Sequence, residues 1–234
     1  MTARWRIRAL ECAVGVLTLL GIWASTHATW VLTHGGNRAF DGAFDYPRWA
    51  AVHFLGGLAF VVILPFQLSS RARAALPRAH RVAGRVAALA GLAFAGTGLA
   101  LPIVMPARPF GERAFMMTVG VLFTFLLWRG VAAARRHDFI THRRWMLRVT
   151  AGALSPLTQR AMFPFFAALG IDSLGRFWDL FVTSLWLSSA LNFIVVEWWI
   201  RRTEAAAARR FTERNAPESV RSLGALAPPE SGAV

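Results

Sequence analysis

Four histidines stand where apolar sequence begins or ends: His27, His53, His80 and His142. Two imidazoles from neighbouring helices are what a haem b iron takes as axial ligands, and a single imidazole can hydrogen-bond a quinone. Two of the four are followed by arginine, as His80-Arg81 and His142-Arg143. At a helix N-terminus that pair is also a good contact for a lipid phosphate. Haem, quinone and lipid contact all remain open on residue type alone. Arg160 is the other chemistry-bearing residue. It lies with Gln159 inside an apolar run, and an arginine that deep faces other helices and pairs, or contacts a small anionic solute.

The stretch Thr141–Arg160, THRRWMLRVTAGALSPLTQR, must position two of these residues. As one helix it places His142, Met146, Val149, Ala153, Pro156 and Arg160 on a shared face, at steps of four and three. His142 and Arg160 are then separated by five turns, roughly 27 Å of rise and close to the depth of a bilayer core. The face thus carries a polar group toward each membrane surface.

The rest of the chain agrees with a membrane setting. Its 234 residues are 56% hydrophobic and 16% charged, with a mean hydropathy of +0.45, and the 26 basic residues are all arginine. A net charge of +14 would suggest nucleic acid in a soluble protein. Here the arginines lie between apolar runs, so the expected partner is the anionic face of a bilayer and not nucleic acid. Cys12 is the single cysteine, which leaves no disulfide framework and no thiolate metal site. No Ser-His-Asp arrangement, phosphate loop or metalloprotease motif occurs, so no catalytic residue is indicated.

Six apolar runs follow one another, at about 13–32, 49–68, 82–104, 114–134, 145–169 and 177–200. The expected fold is an all-α polytopic transmembrane bundle of six spans. Residues 1–202 form the membrane domain, and 203–234 a partly disordered cytoplasmic tail. Glycine, asparagine and aspartate mark turns at 35–42, and Pro77, Pro102 and Pro106 punctuate the third run. His34 and His137 fall in connections.

Arginine placement orients the bundle. The first segment carries three, the 71–85 connection five, the 129–148 connection six and the tail six, against five on the other side. The positive-inside rule then puts both termini in the cytoplasm of a cell with the protein in its inner membrane. His80 and His142 gather at the cytoplasmic side and His27 and His53 at the outer side.

Gly84, Ala88, Gly91, Ala95 and Gly98 form a stripe of small residues on the third run, with His80 one step earlier. Such a stripe lets another backbone approach. His53 has Gly56 and Gly57 at three and four residues. Asp179, near the outer end of the sixth run, is the expected partner for Arg160, and Glu197 stands at nearly the depth of Arg148.

Three ordered motifs, HFLGGLAFVVILPFQ at 53–67, PRAHRVAGR at 77–85 and HRRWMLR at 142–148 with Arg160 beyond, resemble a bacterial family of predicted membrane proteins. This is the domain-of-unknown-function family 2306, and the resemblance covers about residues 49–165. It marks His53, Gly56, Gly57, Gln67, His80, Arg81, Gly84, Arg85, His142, Trp145, Met146, Arg148 and Arg160. It implies a membrane location and no activity. After Arg148 this chain continues with Val-Thr-Ala-Gly-Ala-Leu where the family pattern is more polar. A weaker similarity, in helical histidines and basic inner loops, connects it to the di-haem cytochrome b reductases. There the inner and outer ligands share helices, whereas here each candidate histidine has its own.

The topology predicts that reporter fusions at residues 40, 75, 108, 138, 172 and the C-terminus alternate from outside to inside. A periplasmic C-terminus would overturn it.

Overall fold

The computed structural model describes residues 47–104, 108–169 and 177–215, together with Leu19 and Trp23. The described residues are all-helical, with no strand. They form α1 (Pro47–Leu68), α2 (Ser70–Ala75), α3 (Pro77–Val104), α4 (Phe110–Arg135), α5 (Phe139–Ala168) and α6 (Phe177–Asn215). Four stretches are long and apolar enough to cross a membrane: Arg48–Leu68, Pro77–Val104, Phe110–Arg135 and Asp179–Arg209. The first expected span, 13–32, lies outside the described residues except for Leu19 and Trp23. The fifth is a helix, α5, but is not among the four; it carries Arg143, Arg144, Arg148, Gln159 and Arg160.

The ends of the helices follow local chemistry. Pro47 and Pro77 open α1 and α3 at the first helical position, where no N–H is needed. Ser69 starts α2 by accepting a hydrogen bond from the Ala72 amide at 3.2 Å, so the basic connection between the second and third runs is a helix of six residues. His137 takes a positive φ of 61° in the turn between α4 and α5. Asp138 then caps α5 by accepting from the Thr141 amide at 3.0 Å. Hydrogen bonds from the Thr141 side chain and backbone hold this exposed carboxyl below the usual aspartate range.

The core is built by close approach of α1 and α3. The α3 stripe faces α1: a Cβ added at Gly91 would meet Phe60 at 3.1 Å and Leu127 of α4 at 3.3 Å, and one at Gly98 would meet His53 at 3.2 Å. From the other side, a Cβ on Gly56 would reach the Ala90 carbonyl oxygen at 3.0 Å. Phe123 of α4 closes this layer, edge-on to both Phe60 and Phe94. Val149, Ala153, Leu154 and Leu157 of α5 complete the buried cluster, so the expected α5 face is indeed the one turned inward.

The first part of α6 is attached by polar contacts. Asn192 donates to Thr158 Oγ1 at 3.1 Å and to the Ala151 carbonyl at 3.3 Å, and Gln159 donates to the Phe181 carbonyl at 3.1 Å. Contacts divide the chain into two units inside α6, between Ile194 and Val195. Beyond that point the helix carries Arg202 over the Trp198 ring at 4.5 Å, and Thr203 bonded back to Trp199 and Ile200.

Gly91→Leu should destabilise the bundle by about 1–3 kcal/mol, the cost of overpacking a filled interface. Thermal unfolding in detergent would read this as a lowered midpoint. Wild-type stability would mean that α3 and α1 do not meet at Gly91.

Candidate functional site

Two adjoining cavities, of about 80 Å³ and about 200 Å³, open between the helices at the end of the bundle that holds His53. Both are lined by His53 of α1, Phe94 of α3, and Pro156 and Arg160 of α5. Leu101, Phe115, Phe123 and Leu185 give the larger one apolar walls. Its polar lining comes from Arg108, Glu112, Arg113, Gln159 and Arg160. An apolar pocket with a few converging polar groups is the usual form of a small-ligand site.

Each polar group is held by identifiable neighbours. The His53 ring stacks on Phe94 with centroids 4.4 Å apart. Its Nδ1 lies 3.0 Å from the Phe94 carbonyl and 3.2 Å from Thr97 Oγ1. Thr97 spends its own hydroxyl proton on the Ala93 carbonyl at 2.6 Å. A carbonyl oxygen only accepts, so Nδ1 carries the proton and Nε2 of the neutral ring is an acceptor. Arg160 donates through Nη1 to the Pro156 carbonyl at 2.8 Å. Arg113 donates through Nε to the Pro102 carbonyl at 3.0 Å. Glu112 is buried, its Oε1 3.6 Å from Arg108 Nη2, while its Oε2 has no hydrogen-bond partner.

Arg160 and Asp179 form no ion pair among the described residues, contrary to expectation. Asp179 is exposed in the first turn of α6, where a negative charge suits the helix dipole. The face of α5 that meets α6 carries Gln159. One residue on is a rotation of about 100°, which turns Arg160 to the cavity instead.

His80 and His142 gather at the opposite end. His142 Nδ1 bonds the Gly130 carbonyl of α4 at 2.8 Å, so Nδ1 carries a proton as in His53. His80 lies within electrostatic reach of His142. Its Nδ1 is buried without a partner, and Gln67 Nε2 donates to its backbone carbonyl at 3.1 Å. Arg81 and Arg85 are exposed, and Arg148 lies over the Trp145 ring at 5.0 Å. His27 lies outside the described residues. The candidates thus separate into His53 with Arg160 at one end and Gln67, His80 and His142 at the other. Glu112, Arg108 and Arg113 were not singled out by sequence reasoning. The signal available was the i,i+4 spacing of Arg108 and Glu112, a pair that straddles the start of α4.

A family model for predicted membrane proteins matches residues 50–200, well over half of the chain. The chain belongs to the DUF2306 family. The match runs beyond the three sequence motifs, through α6 as far as residue 200, so it takes in the helix that closes the larger cavity. No curated protein and no solved structure matches the chain. Membership in DUF2306 and the four apolar helices together make this an integral membrane protein.

Arg160→Gln and Asp179→Asn should change stability independently, with the double variant additive within about 0.5 kcal/mol. A larger coupling in a double-mutant cycle would restore the pair.

Proposed function

We propose that this is a redox-type protein of the bacterial inner membrane, with six spans and both termini in the cytoplasm, whose outer cavity binds a quinone head group. The observation that carries the proposal is the meeting of His53 and Arg160, from helices far apart in sequence, on one apolar cavity. A quinone head has oxygens at opposite edges of a flat apolar ring. Arg160 retains N–H groups for one oxygen after its bond to Pro156. His53 Nε2 accepts a proton or hydrogen bond at a reduced oxygen. Phe54, Phe94 and Phe123 supply ring contacts. The volume of about 200 Å³ is below the roughly 300–1,000 Å³ of drug-sized sites and suits a one-ring head whose tail leaves toward lipid.

A second reading, haem b at the cytoplasmic end, is favoured by the state of His80 and His142. A histidine ligand generally donates its other N–H to a carbonyl, as His142 does to Gly130. The partnerless His80 Nδ1 within electrostatic reach supplies the second imidazole.

The test is titration of the purified protein in nanodiscs with a short-chain benzoquinone, followed by tryptophan quenching. Saturable binding is expected, weakened about tenfold or more by His53→Phe and by Arg160→Leu, since each removes a buried hydrogen bond. Absence of saturable binding would overturn the quinone reading, as would displacement by short carboxylates alone, which would point to carriage of an anion. A Soret band abolished by His80→Ala would establish the haem reading.

A further inference from the structure

We infer that the larger cavity selects the hydroxyl-bearing hydroquinone over the quinone, an inference that rests on the quinone reading above. The two forms have the same ring and nearly the same shape. They differ at the oxygens: a carbonyl only accepts hydrogen bonds, whereas a hydroxyl donates one and still accepts. Donors in the site therefore serve both forms, and only acceptors distinguish them.

Acceptors are what this cavity wall accumulates. Proline has no N–H, so the carbonyl four residues before it lacks its helical donor. Pro102 in α3 does this to Gly98, and Pro156 in α5 does it to Gly152. All four residues line the cavity, so both gaps in the helical ladders lie at its wall. Glycine at the freed carbonyls also keeps a side chain from covering them. Glu112 adds Oε2, buried and unpartnered on the same lining, an acceptor in the carboxylate form that the adjacent Arg108 favours. His53 adds Nε2, left as an acceptor because the Phe94 carbonyl holds the Nδ1 proton.

The donors do not reverse this preference. Arg160 and Arg113 each spend one N–H on a backbone carbonyl, Pro156 and Pro102, and Arg108 faces Glu112 Oε1. Their remaining N–H groups reach lone pairs that quinone and hydroquinone both have. Binding the quinone would leave the acceptors facing an acceptor, in apolar surroundings where that mismatch is costly. A site built around a substrate hydroxyl strongly rejects the analogue that lacks it.

The experiment compares a short-chain hydroquinone and its quinone under anaerobic conditions, with the full chain in nanodiscs. The hydroquinone should bind at least about tenfold more tightly. Pro102→Ala with Pro156→Ala returns an N–H to each ladder and should shrink that ratio while both forms still bind. Glu112→Gln, which keeps the shape and adds a donor, should shrink it as well. Equal affinity of the wild type for both forms would overturn the inference and leave the quinone reading standing. So would a preference untouched by both sets of changes. Binding of neither form would remove the quinone reading itself.

Discussion

Gln159 and Arg160 are adjacent on one helix in apolar surroundings, and neither can be left against lipid. Successive helical residues point about 100° apart, so two different sides of α5 must be covered. The Phe181 carbonyl of α6 meets the Gln159 amide, and Gln159 is only 1% exposed. Arg160 turns toward α1 and α3, onto the cavity beside His53. An unsatisfied polar group in hydrocarbon costs several kcal/mol, so this demand holds α5 between α6 and the cavity. The cavity is the space left where a long cationic side chain meets helices that otherwise pack closely.

That close packing determines what the cavity can do. α1 and α3 approach through glycine on both sides, Gly56 against the Ala90 carbonyl and Gly91 against Phe60. The approach brings His53 within reach of the Phe94 carbonyl and Thr97, and those contacts select the protonated nitrogen. A bulkier interface would hold the helices apart and leave the ring free to rotate. Close packing of small residues therefore fixes which atom of His53 the cavity sees, and so connects the sequence motif to its chemistry.

The helical class, the inward face of α5 and the packing role of the α3 stripe were legible because each rests on periodicity. Gly84, Gly91 and Gly98 recur at helical spacing whatever lies opposite. The partner of Arg160 was not legible in the same way. Depth along two helices suggested Asp179, but rotation about the helix axis decides contact, and a difference of one residue moved Gln159 into that place. Glu112 was missed for a related reason. Standing between Arg108 and Arg113 in a short connection, it reads as part of a charged loop, and only the tertiary arrangement shows it buried at 5% exposure.

The arginines at the two ends of the bundle serve different ends, and the difference bears on how a cavity survives in a membrane. In the proposed topology, those on the cytoplasmic side are numerous and several, such as Arg81, Arg85 and Arg143, are exposed. Such residues hold orientation through headgroups and membrane potential. In the same proposed topology the arginines on the outer side are few, and Arg108 and Arg113 line the cavity. Arg113 grips the carbonyl of Pro102, the residue that interrupts the α3 ladder. Arg113, a cation that contributes little to topology, thus secures the residue that interrupts the α3 ladder beside the cavity. A proline gap facing lipid would be a defect, whereas this one lies on a cavity wall that also carries guanidinium groups.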